Sequence, residues 1–298
     1  MIIGAYMELL LIEEILVVLI SLLYMLYDIF NNRNVPSIVV YATIFIAVVM
    51  TLLNWNLYYI VESFVIAILI VIFGYFALYK AGSLGLGDVL EFAAISMILA
   101  VQSAPILSQN VQYGIPFIIS ILIGSGISAL ILVPLYYIPK AIKKINHSIL
   151  NDVTKSAKLK SITAGVSYIV LIGVLVAVNF IGIWGVLLLG LLMLGSIFTI
   201  LFEKPMTKAM IINAKVSEIE EDDIIALNML DKKTIRTIKK YVPDFGGLVT
   251  EKMINEIKKK EPHLRLPTYK NAIPFAVFIF IGCVISLLFG NLFLIVFR

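Results

Sequence analysis

The stretch KAGSLGLGDVLEF, Lys80 to Phe92, separates two long apolar runs and sets one aspartate, Asp88, behind a string of small residues. A carboxylate at the edge of a hydrocarbon layer is costly to keep, so its presence there asks for a function. The runs on either side decide the fold. The chain of 298 residues is 61% hydrophobic and 14% charged. Ordinary soluble proteins are about 45–50% apolar and about 25% charged. The composition is that of an integral membrane protein.

Crossing the hydrocarbon core takes roughly 20 apolar residues in a helix. Eight stretches qualify: about Leu9–Phe30, Ser37–Asn54, Ile60–Tyr79, Val89–Ser108, Ile115–Pro139, Ala164–Ile181, Ile183–Phe202 and Ala272–Phe297. The sixth and seventh meet at Gly182 and read as a tight hairpin. The first reads as a retained helix, because it carries Glu8, Glu13 and Glu14 and lacks the basic flank of a cleaved signal peptide. The single cysteine, Cys283, excludes an intrachain disulfide framework and a multi-cysteine zinc site. His147 and His263 stand alone in charged segments. No metal or cofactor is expected, and no nucleic-acid partner.

The cations set the orientation. Arg33 follows the first stretch, Lys80 the third, and Lys140, Lys143, Lys144, Lys155, Lys158 and Lys160 the fifth. Fourteen more lie between Lys204 and Lys270, after the seventh. The loops after the second, fourth and sixth stretches carry none, and Arg298 alone falls on the other side. Under the positive-inside rule this places both termini outside. The expected architecture is an all-α polytopic membrane protein of about eight helices, a six-helix core plus an extra hairpin, with a small α+β cytoplasmic domain before the last helix. Its parts are a membrane core of five helices over 1–139, a basic loop over 140–163, the hairpin over 164–202, the cytoplasmic domain over 203–271 and the last helix over 272–298. Within that domain, alternation at Ile212, Ala214 and Val216 suggests a short strand. Ser217 with Glu220 resembles a capping box. LDKKTIRTIKKYV spaces Leu230, Ile235, Ile238 and Val242 along one helix face, and Thr250 is a good N-cap for the helix that follows it. A domain of this size is expected to lean on the helix ends or on lipid headgroups.

With this topology the first helix runs inward and ends near Asp28, and the fourth runs outward from Asp88. Both carboxyls then lie at a similar depth, near the cytoplasmic face. Two carboxyls held within a few ångströms share one proton. The charged member can take a proton from water while the protonated one donates to a carbonyl oxygen, which is metal-free hydrolysis of a peptide bond. Taken singly, Asp28 also reads as an interfacial anchor and Asp88 as an N-cap. Their shared depth, and the glycines before Asp88, favour the pair. Gly85 and Gly87 are expected to shape the site by letting the backbone approach a substrate and adopt conformations closed to other residues.

GLGD, Gly85 to Asp88, resembles the Gly-x-Gly-Asp signature of intramembrane aspartyl proteases. One branch, the presenilin and signal-peptide-peptidase family, pairs it with a Tyr-Asp, as Tyr27–Asp28 does here. That branch places several helices before the Tyr-Asp and carries a late Pro-Ala-Leu, whereas this chain has one helix before Asp28 and no Pro-Ala-Leu. The other branch is the type IV prepilin peptidase family with its archaeal preflagellin (prearchaellin) peptidases. DIFNNRNVPS, Asp28 to Ser37, and AIPFAVFIFIG, Ala272 to Gly282, are similar to segments of that branch. The family often has a lysine two residues after the second aspartate; Leu90 stands there, followed by Glu91.

The resemblance implies an aspartic endopeptidase of the cell membrane with Asp28 and Asp88 catalytic. Its substrates would be precursors of type IV pilins or of archaellins, the subunits of archaeal flagella, with a basic leader joined to an apolar helix. The run SEIEEDD, with Glu220, Glu221, Asp222 and Asp223, then reads either as a steering surface for that leader or as a solvated acidic turn. Glu91 reads as a tuner of the pair or a residue of the helix start. A presenilin-like protease, an ion-coupled transporter using the carboxyl pair and a non-catalytic scaffold are the competing readings.

Overall fold

The computed structural model describes residues 2–31, 34–54, 56–79, 84–99, 116–145, 153–221, 223–243, 245–290 and 292, without the side chains of 2–7 and 144–145. Of the expected site residues, Asp222 lies outside the described residues, as do residues 100–108 of the fourth apolar stretch.

The chain is a largely helical membrane protein. Its membrane part is built from α1 (Ile2–Phe30), α2 (Ser37–Leu53), α3 (Leu57–Phe73) continued by a π-helical segment (Gly74–Tyr79), α4 (Leu86–Ile98), α5 (Phe117–Ile145), α6 (Lys155–Ala177), α7 (Ile183–Leu201) and α11 (Ala276–Phe289). Five spans within it are long and apolar enough to cross a membrane: Glu8–Phe30, Leu57–Tyr79, Phe117–Lys143, Lys155–Ala177 and Ile183–Leu201. The helices α2 and α11 are apolar but shorter.

The centre of the bundle is α4. Its residues Val89 and Glu91–Ile98 are all buried, and α1, α2, α3 and the π-helical segment pack around it. Thirteen residues rise only about 20 Å, short of the roughly 30 Å hydrocarbon core. The last carbonyls of a helix lack partners within the helix, and away from water each must find one. Neighbouring helices supply them here. Thr51 of α2 donates its hydroxyl to Met97 O at 2.7 Å, and Tyr59 of α3 donates to Ile98 O at 2.7 Å.

On the opposite flank α11 lies in close contact with α5, and small residues explain how. A Cβ on Gly282 would stand 2.4 Å from Ser125 Oγ and 2.7 Å from Ile121 O. Serines stitch the same seam: Ser120 donates to Ser286 Oγ at 2.9 Å and receives from the Leu292 N–H at 3.0 Å. Close helix approach through small residues with a few hydroxyl bonds is the usual packing where lipid supplies no hydrophobic drive between helices. The helix α11 ends at Gly290, whose φ of 84° favours glycine.

The hairpin α6–α7 carries mostly exposed apolar side chains, among them Ile162, Val166, Ile169, Leu187, Leu191 and Leu194, the surface that hydrocarbon would cover. Its turn includes Asn179 at φ 52°, a left-handed conformation that asparagine tolerates. Two boundaries differ from the sequence expectation. The helix α6 begins at Lys155, where Thr154 Oγ1 accepts the Ala157 N–H at 3.1 Å, so Lys155, Lys158 and Lys160 occupy its first turns instead of a loop. The helix α5 passes through Pro134 and Pro139 to Ile145, although the proline at 139 reads as a stop.

The polar segment follows through α8 (Glu203–Met210), β1 (Ile212–Lys215), α9 (Lys232–Lys239), α10 (Glu251–Lys260) and β2 (Arg265–Thr268). The strands pair antiparallel, Ile212 opposite Thr268 and Lys215 opposite Arg265. Thr250 caps α10 as expected, accepting the Met253 N–H at 3.4 Å. The capping box falls elsewhere than expected: Glu218, not Glu220, reaches back, accepting the Lys215 N–H at 3.1 Å. The segment has a core of its own, in which Val216, Ile225, Ile238, Phe245, Ile257 and Leu266 are buried together. A separate cluster of Tyr137, Ala141, Met206 and Ala209 joins α8 to the end of α5.

Candidate active site

Helical spacing builds one wall of the site. Val17, Ser21, Tyr24 and Asp28 recur every three or four residues along α1, so they fall on one face, and all four are buried. Asp28 is 8% exposed. The chain then turns back: the Asn31 N–H bonds to Tyr27 O at 2.8 Å, and Asn31 Nδ2 donates to Asn34 O at 2.6 Å.

The facing wall is the first turn of α4. Asp88 accepts the Gly85 N–H on Oδ2 at 3.1 Å, which satisfies one of the unpaired donors at that helix start. Asp88 is thus not the N-cap, which is Gly85, but the third residue of the helix reaching back to it. Asp88 does more, because it lies close enough to Asp28 for each carboxyl to feel the charge of the other. Two expected site residues from helix ends that the sequence separates by 60 positions thus share one locus. The third wall is α11, whose buried Cys283 faces Ser21 and Glu91. Phe275 at the start of α11 packs against Phe92 of α4, ring centres 6.5 Å apart.

The glycines behave differently from the sequence expectation. Gly85 has φ −70° and ψ 153°, ordinary extended backbone, and Gly87 lies within the first turn of α4. Neither needs a conformation closed to other residues. A Cβ on Gly87 would meet only Val35 Cγ2 at 4.0 Å. What these two glycines contribute is room beside Asp88. Close approach falls instead on Gly74 of the π-helical segment, where a Cβ would lie 2.5 Å from Val89 Cγ1.

The acidic run of the polar segment is divided. Asp223 forms an ion pair with Lys270 at 3.2 Å and accepts the Glu220 N–H at 2.9 Å, so it serves the fold of the loop. Glu220 and Glu221 are exposed and remain available to a passing charge.

Three buried groups escaped the sequence reading as members of this site: Tyr24, Ser21 and Cys283. Counting back from Asp28 by four and seven residues would have found the first two. The tyrosine beside the aspartate, Tyr27, is only half-buried. A second buried polar cluster sits about fifteen residues earlier on α1, where Asn54 donates to Glu13 Oε1 at 2.7 Å and Glu14 is also buried. In the sequence these two glutamates stand out only as acids that a signal peptide would lack. Among the described residues no three His, Cys, Asp or Glu side chains converge as ligands of one metal ion.

Comparisons with family models, with curated proteins and with solved structures find no match for this chain.

Proposed function

We propose that this protein is a membrane aspartyl endopeptidase that removes the short basic leader of type IV pilin-like or archaellin precursors at the cytoplasmic face of the membrane. The observation that carries the proposal is that Asp28 and Asp88, at the ends of two helices, lie within electrostatic reach of each other. The Gly-Leu-Gly-Asp run and the segments after Asp28 and Ala272 lend it support.

The chemistry follows from the pair. One carboxyl carries the proton that the two share. The charged member draws a proton from a water molecule as the water oxygen attacks the scissile carbonyl carbon, and the protonated member donates to the carbonyl oxygen. The tetrahedral intermediate then collapses: the carbon–nitrogen bond breaks, and the amine leaves with a proton. Water is added across the peptide bond, and the pair ends with the one proton it began with. A precursor whose basic leader stays in the cytoplasm and whose apolar helix lies in the membrane would present its junction at the depth assigned to the pair. Incubating membranes that contain this protein with such a precursor should produce a faster-migrating product on a gel. A precursor left at full length under every condition would defeat the proposal.

The orientation has its own check. Single cysteines at Lys143 and Lys232, in a Cys283→Ser background, should react with an impermeant thiol reagent only from the cytoplasmic side. A cysteine at Asn179, in the exposed α6–α7 turn, should react only from outside. The expectation comes from the cation distribution. Labelling of Lys232→Cys from outside would put the carboxyl pair at the wrong face.

Among the described residues, steering of the leader is assigned to Glu220 and Glu221. Exposed charges of opposite sign raise the on-rate of a charged partner more than they tighten the complex. Replacing both with Ser should raise the Michaelis constant for a Lys-rich leader by roughly 3- to 10-fold at low salt and leave kcat unchanged. The effect should fade as salt rises. An unchanged Michaelis constant at low salt would return both residues to the role of solvated turn.

A further inference from the structure

Glu91 has no part in the chemistry above, and its surroundings do not explain it. It lies one helical turn from Asp88 on the buried side of α4 and has no exposed surface. Neither of its oxygens has a hydrogen-bond partner. Facing it from α1 is Tyr24, equally buried, whose hydroxyl makes no hydrogen bond of good geometry and has the Thr43 hydroxyl beside it. Tyr24 lies within electrostatic reach of both Glu91 and Asp88. Two hydroxyls line the same spot and keep their acceptor side free: Thr43 lies beside the Tyr24 hydroxyl and Ser21 beside the Cys283 thiol, while each donates to its own backbone. The Thr43 hydroxyl donates to Val39 O at 2.8 Å, and the Ser21 hydroxyl donates to Val18 O at 3.2 Å.

Buried polar groups without a protein partner are normally satisfied by ordered water, which takes about three hydrogen bonds at such a site. In a membrane bundle the alternative is several kcal/mol lost per group. Two such groups, on facing helices and beside one of the paired aspartates, make a buried polar locus. A solely structural role is a poor explanation for Glu91, since an apolar residue would fill the space without an unpaired carboxyl.

We propose that Glu91 and Tyr24 are positioning residues that hold water against the inner side of Asp88, and that this is the water the carboxyl pair uses in hydrolysis. The second half rests on the peptidase reading of the pair; the first does not. The hydroxyl of Tyr24 and the carboxyl of Glu91 both can donate to a water oxygen and accept from it, so together they can fix where its lone pair points.

The test uses the full-length protein in lipid and the variants E91Q, E91L and Y24F. Infrared spectra should contain the carbonyl band of a buried carboxylic acid that E91Q removes, and that band should shift when D2O replaces H2O. The E91L variant should melt at the same temperature as the parent or higher, because no hydrogen bond to another residue is lost and a carboxyl leaves apolar packing. With a precursor as substrate, E91Q and Y24F should each lower kcat by about 10-fold or more with the Michaelis constant little changed. The double variant should be no worse than the poorer single one, as for groups that act as a unit. A band that ignores D2O, or spectra that E91Q leaves untouched, would overturn the water site. An E91L protein with a lowered melting temperature and parental kcat would overturn it too, by making Glu91 a structural residue. If the parent cleaves no precursor, the peptidase reading falls, and the infrared arm still decides whether Glu91 and Tyr24 face water.

Discussion

Asp28→Asn and Asp88→Asn should each lower cleavage by about 10²–10⁴-fold without harming the fold. Asparagine keeps the shape of the side chain and can neither lend nor take the shared proton. In Asp88→Asn the amide oxygen would still accept the Gly85 N–H that Asp88 accepts at 3.1 Å, so the start of α4 keeps its cap. Stability should hold or rise, because each variant has one carboxyl fewer to keep in apolar surroundings. The double variant should be no slower than the worse single one, since half a pair already lacks the proton exchange. Rates of precursor cleavage, read beside melting temperatures, check all three points. Parental activity in either single variant would take that aspartate out of the chemistry.

The second large effect concerns the seam behind the site. Gly282→Ala should destabilise the protein by about 1–3 kcal/mol. The added methyl would fall 2.5 Å from Ser125 N as well as 2.4 Å from Ser125 Oγ, and a backbone nitrogen cannot rotate aside. The helices α5 and α11 would have to part, and α11 carries Cys283 against the site. Activity should therefore fall with stability. Gly126→Ala is the matched control on α5, since a Cβ there meets nothing within 4 Å; it should leave the melting temperature unchanged. Equal melting curves for the two variants in detergent or lipid would contradict the packing described here.

These two effects differ in how far the sequence could foretell them. Asp28 and Asp88 were legible because a carboxyl next to an apolar run stands out, and because the cation pattern puts both at one depth. The tight contact at Gly282 was not legible. A glycine within a long apolar run looks like any other small residue until the facing helix is known. Burial of Glu91 was hidden for the same reason, since its turn of α4 could have faced lipid headgroups or the bundle. The end of α4 depends on Thr51 and Tyr59, whose bonds to Met97 and Ile98 span 46 and 39 residues, and no local pattern reports such pairs. In the polar segment two short-range signals served, and the capping box at Ser217 and Glu220 did not. Thr250 caps α10, and the alternation at Ile212 and Ala214 becomes β1. Between the two readings of the acidic run, the sequence could not choose for Asp223, because its partner Lys270 lies far along the chain.

The most direct test of the carboxyl pair as a peptidase site uses purified protein reconstituted in liposomes with a synthetic precursor and a metal chelator present. Mass spectrometry of the products should show one cut at the junction of the basic leader and the apolar helix. The Asp28→Asn/Asp88→Asn double variant should yield none. An intact precursor after prolonged incubation with the parent protein would contradict the proposed activity, and the same cut made by the double variant would show that the two aspartates do not carry it.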